Sequence, residues 1–388
     1  MNIEKMLNKT VVDMKPSGIR KFFDIVAQMP DAISLGVGEP DFVTPWHIRE
    51  AGIYSLEKGR TYYTSNSGLM ELRYEITNYL QRRFNLSYDY KSEVLVTVGG
   101  SEAIDLCTRA FISSGDEVLI PEPCFVCYAP CVQLAGGTPV PIVTEEKDQF
   151  KLTAKALKEA ITPKTKLLVL PFPNNPTGAV MDKNDLEEIA EVLRGTDIIV
   201  LSDEIYAELT YGQKHVSIAS IDGMKERTLL VSGFSKAFAM TGWRLGYVCG
   251  NADVIKAITK IHQYGIMSAP TTSQYAAIEA MKNSDADVAF MVSEYDHRRR
   301  MLVDELNRIG LHCFEPKGAF YAFPSIKCTG LTSEQFCEEL LKDQKVAVVP
   351  GNAFGECGEG FIRISYAYSI DAITNALEKI ENFVKKFK

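Results

Sequence analysis

The sequence predicts an α/β fold, in which a large domain with a mainly parallel, doubly wound sheet is followed by a smaller α+β region. Strand-like and helix-like segments alternate from about residue 46 to about residue 281, as expected of parallel strands joined by crossover helices. Near Asp285 the pattern changes: a long charged helical stretch is predicted from Ala289 to Gly310, and short strands and a closing helix from Asp371 follow. A chain of 388 residues, 46% of them hydrophobic, is long enough to bury two or three domain cores.

Charge and composition argue against several classes of protein. The formal net charge is −8, and the short basic run at residues 297–300 is typical of a solvated helix face rather than a nucleic-acid patch. No segment approaches the roughly 18 apolar residues of a membrane span, and the N-terminus has no secretory signal, so we expect a cytoplasmic protein. Cys124, Cys127 and Cys131 are closely spaced but lack a fourth ligand with its own paired spacing. We therefore expect no metal and interpret the nine cysteines as small core residues.

An early strand, over residues 93–98, leads into small residues. Gly99, Gly100 and Ser101 come between it and a helical stretch that starts at Glu102. Backbone N–H groups at such a junction are free to bind an anion with help from the helix dipole, although glycines here could equally serve close packing. Phe125, further along the chain, lies in a segment that by itself is more typical of core.

Two further apolar runs predict buried parallel strands that end near polar side chains. Residues 165–170 lead into a Pro- and Asn-rich loop that contains Asn175, and residues 197–201 lead to Asp203. Ligands of open α/β sheets bind beyond the carboxyl ends of the strands. Asp203 is there either the N-cap of a helix or a buried carboxylate that needs a cationic partner.

The segment from Ser232 to Tyr247 carries Lys236 and Arg244 among glycine, serine, alanine and aromatic residues. Burial disfavours the ammonium form of a lysine, and a neutral lysine amine can form a Schiff base with a carbonyl cofactor. The alternative is a lysine whose stem is buried while its charged end reaches water.

Two more positions complete the set of candidates. Arg363 alternates with isoleucines in a strand-like segment, so it either faces solvent or holds a carboxylate in its planar fork. Gly36 and Gly38 form a Gly-x-Gly pair that lacks the third glycine and the helix of a dinucleotide-binding fingerprint, so we reject that function for it.

Taken together and in this order, these motifs resemble those of the class I/II aminotransferases, the fold-type I family of pyridoxal-phosphate enzymes. The resemblance extends over essentially the whole chain and is strongest in Ser235-Lys236, in Gly242-Trp-Arg-Leu-Gly246 and in the context of Arg363. It implies an aspartate-aminotransferase-like fold, with a large cofactor-binding domain over residues 46–284. Residues 1–45 and 285–388 would then form a smaller, discontinuous domain.

The resemblance also implies a role for each candidate residue. Catalytic roles fall to Lys236, which bonds to pyridoxal 5'-phosphate, to Asp203 opposite the ring nitrogen, and to Tyr206, which together with Asn175 bonds the phenolic oxygen. The cofactor phosphate would be bound by Gly99, Gly100, Ser101, Ser235 and Arg244, and Phe125 would stack on the face of the cofactor ring. The substrate carboxylate would be bound by Gly38, Asn175 and Arg363. In a homodimer, Tyr63 would contact the cofactor phosphate of the neighbouring subunit.

The activity that the resemblance implies is a ping-pong transfer of an amino group between an L-amino acid and a 2-oxo acid. The chain looks closest to the bacterial and archaeal aspartate/aromatic subgroup, whose aspartate-using members are expected to have a lysine where Ser101 stands. An aromatic amino acid or an N-acylated diamino acid therefore fits at least as well as aspartate. Two alternatives are a carbon–sulfur lyase on the same fold and a non-catalytic regulator that binds ligand.

Overall fold

The computed structural model describes residues 3–14, 16, 29 and 31–387. Its α-helices in these ranges are α1 (Lys9–Asp13), α2 (Trp46–Glu57), α3 (Met70–Phe84), α4 (Gly99–Phe111), α5 (Tyr128–Leu134), α6 (Ala154–Ala160), α7 (Lys183–Leu193), α8 (Ala252–Gly265), α9 (Thr271–Asn283), α10 (Asp285–Ile309), α11 (Ser333–Gln344) and α12 (Ile370–Val384). The strands are β1 (Ile33–Ser34), β2 (Val94–Thr97), β3 (Glu117–Glu122), β4 (Thr138–Val143), β5 (Thr165–Leu170), β6 (Ile199–Asp203), β7 (Thr228–Gly233), β8 (Gly246–Cys249), β9 (Tyr321–Ala322), β10 (Val346–Ala347), β11 (Val349–Pro350) and β12 (Ile362–Ser365).

The central feature is a seven-stranded sheet with the strand order β2-β8-β7-β6-β5-β3-β4. Strand β8 is antiparallel to β2 and β7, and the other pairs are parallel. The predicted α/β class with a mainly parallel sheet is confirmed.

Helices cover both faces of this sheet, because alternate strand residues point to opposite sides. On β5, Leu167 and Val169 pack with the core that includes α4, α5 and α8, whereas Leu168 and Leu170 pack with the core of α6 and α7. A third core joins β2 and β8 to α3 and α9. The inner strands of the sheet are therefore buried, and their polar residues lie near the first and last positions of each strand.

A second group of elements packs around the long helix α10, which is capped at its C-terminus by Gly310 in a left-handed conformation with φ 95°. Its core joins α10, α11 and α12 to a three-stranded antiparallel sheet (β11-β12-β9) and to the parallel pair β1-β10. Leu35 extends this core to the N-terminal segment. The division at residues 46–284 stays a prediction, and residues 1–2, 15, 17–28, 30 and 388 of the predicted smaller domain lie outside the described ranges.

Several element boundaries differ from those predicted. Strand β6 continues to Asp203, because its pairing with β7 runs as far as Asp203 and Val231. Helix α4 begins at Gly99 rather than at Glu102, and α10 begins at Asp285 rather than at Ala289. Among the helices of the described ranges, none has both the length and the apolar character to cross a membrane.

Candidate active site

A cavity of about 500 Å³ opens where β5, β6 and β7 end, facing β9 and β12. Its lining brings together most of the predicted site residues: Gly38, Gly100, Ser101, Phe125, Asn175, Asp203, Tyr206, Ser235, Lys236, Arg244 and Arg363. Gly99 lies directly beside Arg244. Tyr63 is not among the lining residues and its side chain is 75% exposed.

Lys236 follows β7, and its amine lies inside the cavity. Nζ donates a hydrogen bond to the Gly38 carbonyl at 2.6 Å and lies 5.6 Å from the centre of the Phe320 ring. Desolvation lowers the pKa of Lys236 to about 8, although the carboxylate of Glu39 acts in the opposite direction. The amine is therefore partly neutral at neutral pH, as a nucleophile toward a carbonyl has to be.

Asp203 is the last residue of β6 and is buried. Its Oδ2 accepts a hydrogen bond from the Tyr128 hydroxyl at 2.8 Å, and its Oδ1 accepts one from the Ile205 N–H at 3.2 Å. Burial raises the pKa of Asp203 to about 6, while the bond from Tyr128 opposes that shift. Turns rather than a helix follow Asp203, so it is not a helix N-cap.

Arg363 on β12 is buried without a carboxylate partner among the described residues. Nη1 donates to Asn175 Oδ1 at 2.9 Å and Nη2 donates to the Gly36 carbonyl at 2.5 Å, while Nε has no hydrogen-bond partner. The guanidinium also lies 4.5 Å from the centre of the Tyr321 ring. The solvent-facing alternative is wrong, and a buried, unneutralised guanidinium is suited to bind a carboxylate.

Tyr206 and Tyr321 line the same cavity as Arg363. The hydroxyls of Tyr206 and Tyr321 are 2.9 Å apart. A Cβ at position 38 would overlap the Tyr321 hydroxyl, so this close approach of the two chain segments requires a glycine.

The part of the cavity lining around Arg244 has the features of an anion site. Helix α4 begins here without a side-chain cap, which leaves N–H groups of its first turn free. Arg244 donates to the Thr241 carbonyl and has no ion pair with any described residue. A Cβ on Gly99 would lie 2.8 Å from Arg244 Nη2, so glycine allows the guanidinium to approach the helix end.

These side chains fit pyridoxal phosphate in their chemical kind. Lys236 offers the amine, Asp203 a buried carboxyl, Arg244 with the α4 N-terminus an anion cradle, and Arg363 a second cation. The family model of class I and II aminotransferases matches residues 30–380. The chain belongs to this family.

Individual relatives of the aminotransferase agree with this assignment. It is 55% identical to YugH of Bacillus subtilis (strain 168), with 98% of each chain covered, and 48% identical to the aspartate aminotransferase of Pyrococcus abyssi (strain GE5 / Orsay), with 97% of each covered. Among solved structures, the aromatic aminotransferase from Pyrococcus horikoshii OT3 matches with a TM-score of 0.90 and 48% identity, over 94% of this chain and 99% of that one.

The aminotransferase depends on pyridoxal 5'-phosphate and acts on amino acids and 2-oxo acids. None of these similarities favours the carbon–sulfur lyase. The roles of individual residues in binding and catalysis stay predictions, and the geometry adds the contacts that each residue makes.

Tyr128 and Tyr321 line the cavity, but neither was singled out from the sequence. Tyr128 donates a hydrogen bond to Asp203. It lies on the first turn of α5, three positions after Phe125, and this spacing is a signal in the sequence that could have indicated it. Tyr321 lies in the predicted strand 319–323, and nothing local distinguishes it from core.

Proposed function

We propose that the aminotransferase binds its cofactor through Lys236, Asp203 and Arg244 and orients the substrate with Arg363. The observation that carries this proposal is the combination of Lys236 and Asp203 in one cavity. The pKa of the amine is lowered to about 8 and the pKa of the carboxyl is raised to about 6. Near neutral pH such an amine can attack a carbonyl, and such a carboxylate can hold a proton on a ring nitrogen.

When bound, pyridoxal phosphate supplies an electron-accepting ring that stabilises negative charge on the substrate Cα. The guanidinium of Arg363 binds the substrate carboxylate and so directs Cα toward Lys236. The uncharged Lys236 amine would take the proton from Cα. Asp203 keeps the ring nitrogen protonated.

Two side chains would bond the phenolic oxygen of the cofactor. The Oδ1 of Asn175 already accepts from Arg363, so its Nδ2 is left to donate. Tyr206 would donate from the other side. Because Asn175 also touches Arg363, it couples the cofactor end of the cavity to the carboxylate end.

We propose that an amino acid with an aromatic or other uncharged side chain is preferred to aspartate. Among the described residues that line the cavity, the cations are Lys236, Arg244 and Arg363, and each has an assigned role. No further cation of that lining is left for a second carboxylate, whereas Ile104 and Tyr321 offer apolar and aromatic contact. The carboxylate of Glu39 would also repel an acidic side chain.

A homodimer is part of this proposal. Tyr63, Tyr62, Met70 and Tyr264 are between 60% and 87% exposed, so these large side chains are available for contact with a partner subunit. Tyr63 would reach the phosphate in the neighbouring subunit. The cytoplasmic location stays a prediction.

Absorbance spectra of the purified protein, before and after addition of single amino acids, test this function. Tyrosine or phenylalanine should abolish the visible band of the lysine-bound cofactor at lower concentration than aspartate, and a 2-oxo acid should restore it. The Lys236→Ala variant should not form that band. Cofactor-saturated protein without a band would overturn the role of Lys236. If aspartate abolished the band at a lower concentration than tyrosine or phenylalanine, only the substrate preference would be overturned.

A further inference from the structure

The first turn of α5 carries a pair of thiols beside the active site. The backbone N–H of Cys131 donates to the Cys127 carbonyl at 3.1 Å, so the two residues are one helical turn apart on one face. Both are partly exposed. The third cysteine of the cluster, Cys124, is buried, and within the described ranges no group of three or more His, Cys, Asp or Glu side chains could hold a metal.

The pKa values of the two thiols are shifted in opposite directions. A hydrogen bond from Cys127 lowers the pKa of Cys131, and the same bond raises the pKa of Cys127. Burial raises the pKa of the other cysteines for which a shift is resolved: Cys107, Cys124, Cys249, Cys313, Cys337 and Cys357. Cys131 is thus the better nucleophile, with a second thiol beside it.

Tyr128, one of the three residues between these thiols, connects them to the proposed chemistry. Tyr128 directly follows Cys127, and its hydroxyl holds Asp203 at 2.8 Å. The ring of Phe125, which lines the cavity, packs edge-on against Tyr128 with 6.1 Å between ring centres. A displacement of Cys127 therefore moves the group that fixes Asp203.

We propose that Cys127 and Cys131 form a peroxide-sensitive modification site that lowers aminotransferase activity when it is oxidised. The Cys131 thiolate attacks one peroxide oxygen and the O–O bond breaks, which gives a sulfenic acid and, after protonation of the leaving oxygen, an alcohol or water. The Cys127 sulfur then bonds to the Cys131 sulfur, and the hydroxyl leaves as water with the Cys127 proton. Two thiols are oxidised to one disulfide while the peroxide takes up two electrons.

The helix geometry explains why this disulfide would disturb the site. Residues four apart in an α-helix have Cα atoms about 6 Å apart, within the range of disulfides, which is about 4.4–6.8 Å. Their Cβ atoms, however, are about 5–6 Å apart, and a disulfide needs about 4 Å. The first turn of α5 has to tighten, and since Cys127 is its N-cap, the movement falls on Cys127 and Tyr128.

The test uses the cofactor-loaded enzyme, reduced with a phosphine and then exposed to hydrogen peroxide. Peptide mass spectrometry should find a Cys127–Cys131 disulfide, and activity should fall about tenfold or more and return on reduction. Cys127→Ser and Cys131→Ser should keep their activity in peroxide. Cys328→Ser, which changes an exposed cysteine in another part of the chain, should respond like the wild type.

Three results would overturn the proposal: no such disulfide, a disulfide that leaves activity unchanged, or a Cys131→Ser enzyme inactivated as fast as the wild type. The mass measurement on the wild type needs neither a variant nor activity, so it stands even where a serine variant folds poorly. It also separates failure of this proposal from failure of the proposed active-site roles.

Discussion

Lys236 has an amine whose reactivity depends on how much of it is uncharged. Because desolvation lowers its pKa to about 8, the neutral fraction rises as pH increases toward 8 and then levels off. We expect the rate at which apoenzyme attaches pyridoxal phosphate to rise about tenfold per pH unit below about 8. Stopped-flow absorbance over a pH series measures this rate. A profile that still rises steeply above pH 9 would show that the lysine is not desolvated.

The hydroxyl of Tyr128 has a predictable effect on Asp203. Its hydrogen bond stabilises the ionised carboxylate and so lowers the pKa of Asp203, against burial, which raises it to about 6. In Tyr128→Phe this pKa should rise, so less carboxylate is available to pair with a ring nitrogen at pH 6–7. We expect cofactor affinity to fall about tenfold there and to recover as pH rises.

A matched control for Tyr128→Phe is available in the same protein. The hydroxyl of Tyr88 is buried without a hydrogen-bond partner, so Tyr88→Phe removes a buried hydroxyl but no bond. Its cofactor affinity, measured by fluorescence titration at pH 6.5 and 8.5, should match that of the wild type. An equal loss at both pH values in Tyr128→Phe would indicate a packing defect rather than an effect on the carboxyl.

At the scale of elements, sequence patterns predict those strand boundaries that are determined by nearby residues in the chain. The apolar run of β5 gave its bounds, Thr165–Leu170, because a buried strand flanked by turn residues leaves a clear signal. The end of β6 was predicted two residues short, since Asp203 belongs to the strand only through its pairing with β7. Pairing between distant segments is not visible in a local pattern.

The same limit applies to the site. Small residues at a strand–helix junction and a lysine among apolar residues are local signals, and both lie at the cavity. The bonds of Tyr128 to Asp203 and of Tyr206 to Tyr321 join residues 75 and 115 positions apart. The roles of Tyr128 and Tyr321 therefore follow only from the folded chain.

The junction of β2 with α4 provides a prediction at this scale. Gly99 has φ +77°, and an added Cβ would lie 2.8 Å from Arg244 Nη2. Gly99→Ala should therefore displace the guanidinium from the helix end and weaken cofactor binding about tenfold or more. Gly115→Ala is the control, because Gly115 also has positive φ, +96°, but an added Cβ meets nothing within 4 Å.

Both alanine variants should lose stability through backbone strain, and only Gly99→Ala should lose cofactor affinity. Thermal unfolding of the apoenzymes measures the first effect and equilibrium titration with pyridoxal phosphate the second. Equal affinities in the two variants would contradict an anion cradle at the α4 N-terminus.

At the scale of the whole molecule, the cavity depends on the meeting of two groups of elements. Asp203 ends a strand of the large sheet and Lys236 and Asn175 follow two others, whereas Arg363 and Tyr321 lie on the small antiparallel sheet. The bond from Arg363 to Asn175 crosses between them. Substrate orientation therefore depends on how the two sheets are held together, which no single motif in the sequence specifies.

The homodimer makes a prediction that mixed subunits can test. Tyr63 is 75% exposed and does not line the cavity of its own chain, so its proposed phosphate contact has to be made in the neighbouring subunit. A Tyr63→Ala chain paired with a Lys236→Ala chain then contains one site with both native residues and one site with neither. Refolding the two inactive or weakened variants together should restore tight cofactor binding and activity above that of either homodimer.

The control for this mixture replaces Tyr63→Ala by Tyr62→Ala, which removes the neighbouring exposed tyrosine. If Tyr62 has no phosphate contact, the Tyr62→Ala homodimer should bind cofactor normally, and mixing it with Lys236→Ala should add nothing beyond dilution. If Tyr63 served its own chain instead, the mixed Tyr63→Ala and Lys236→Ala dimer would have no site with both native residues. Restored activity in the first mixture alone would thus require that each active site is built from two chains.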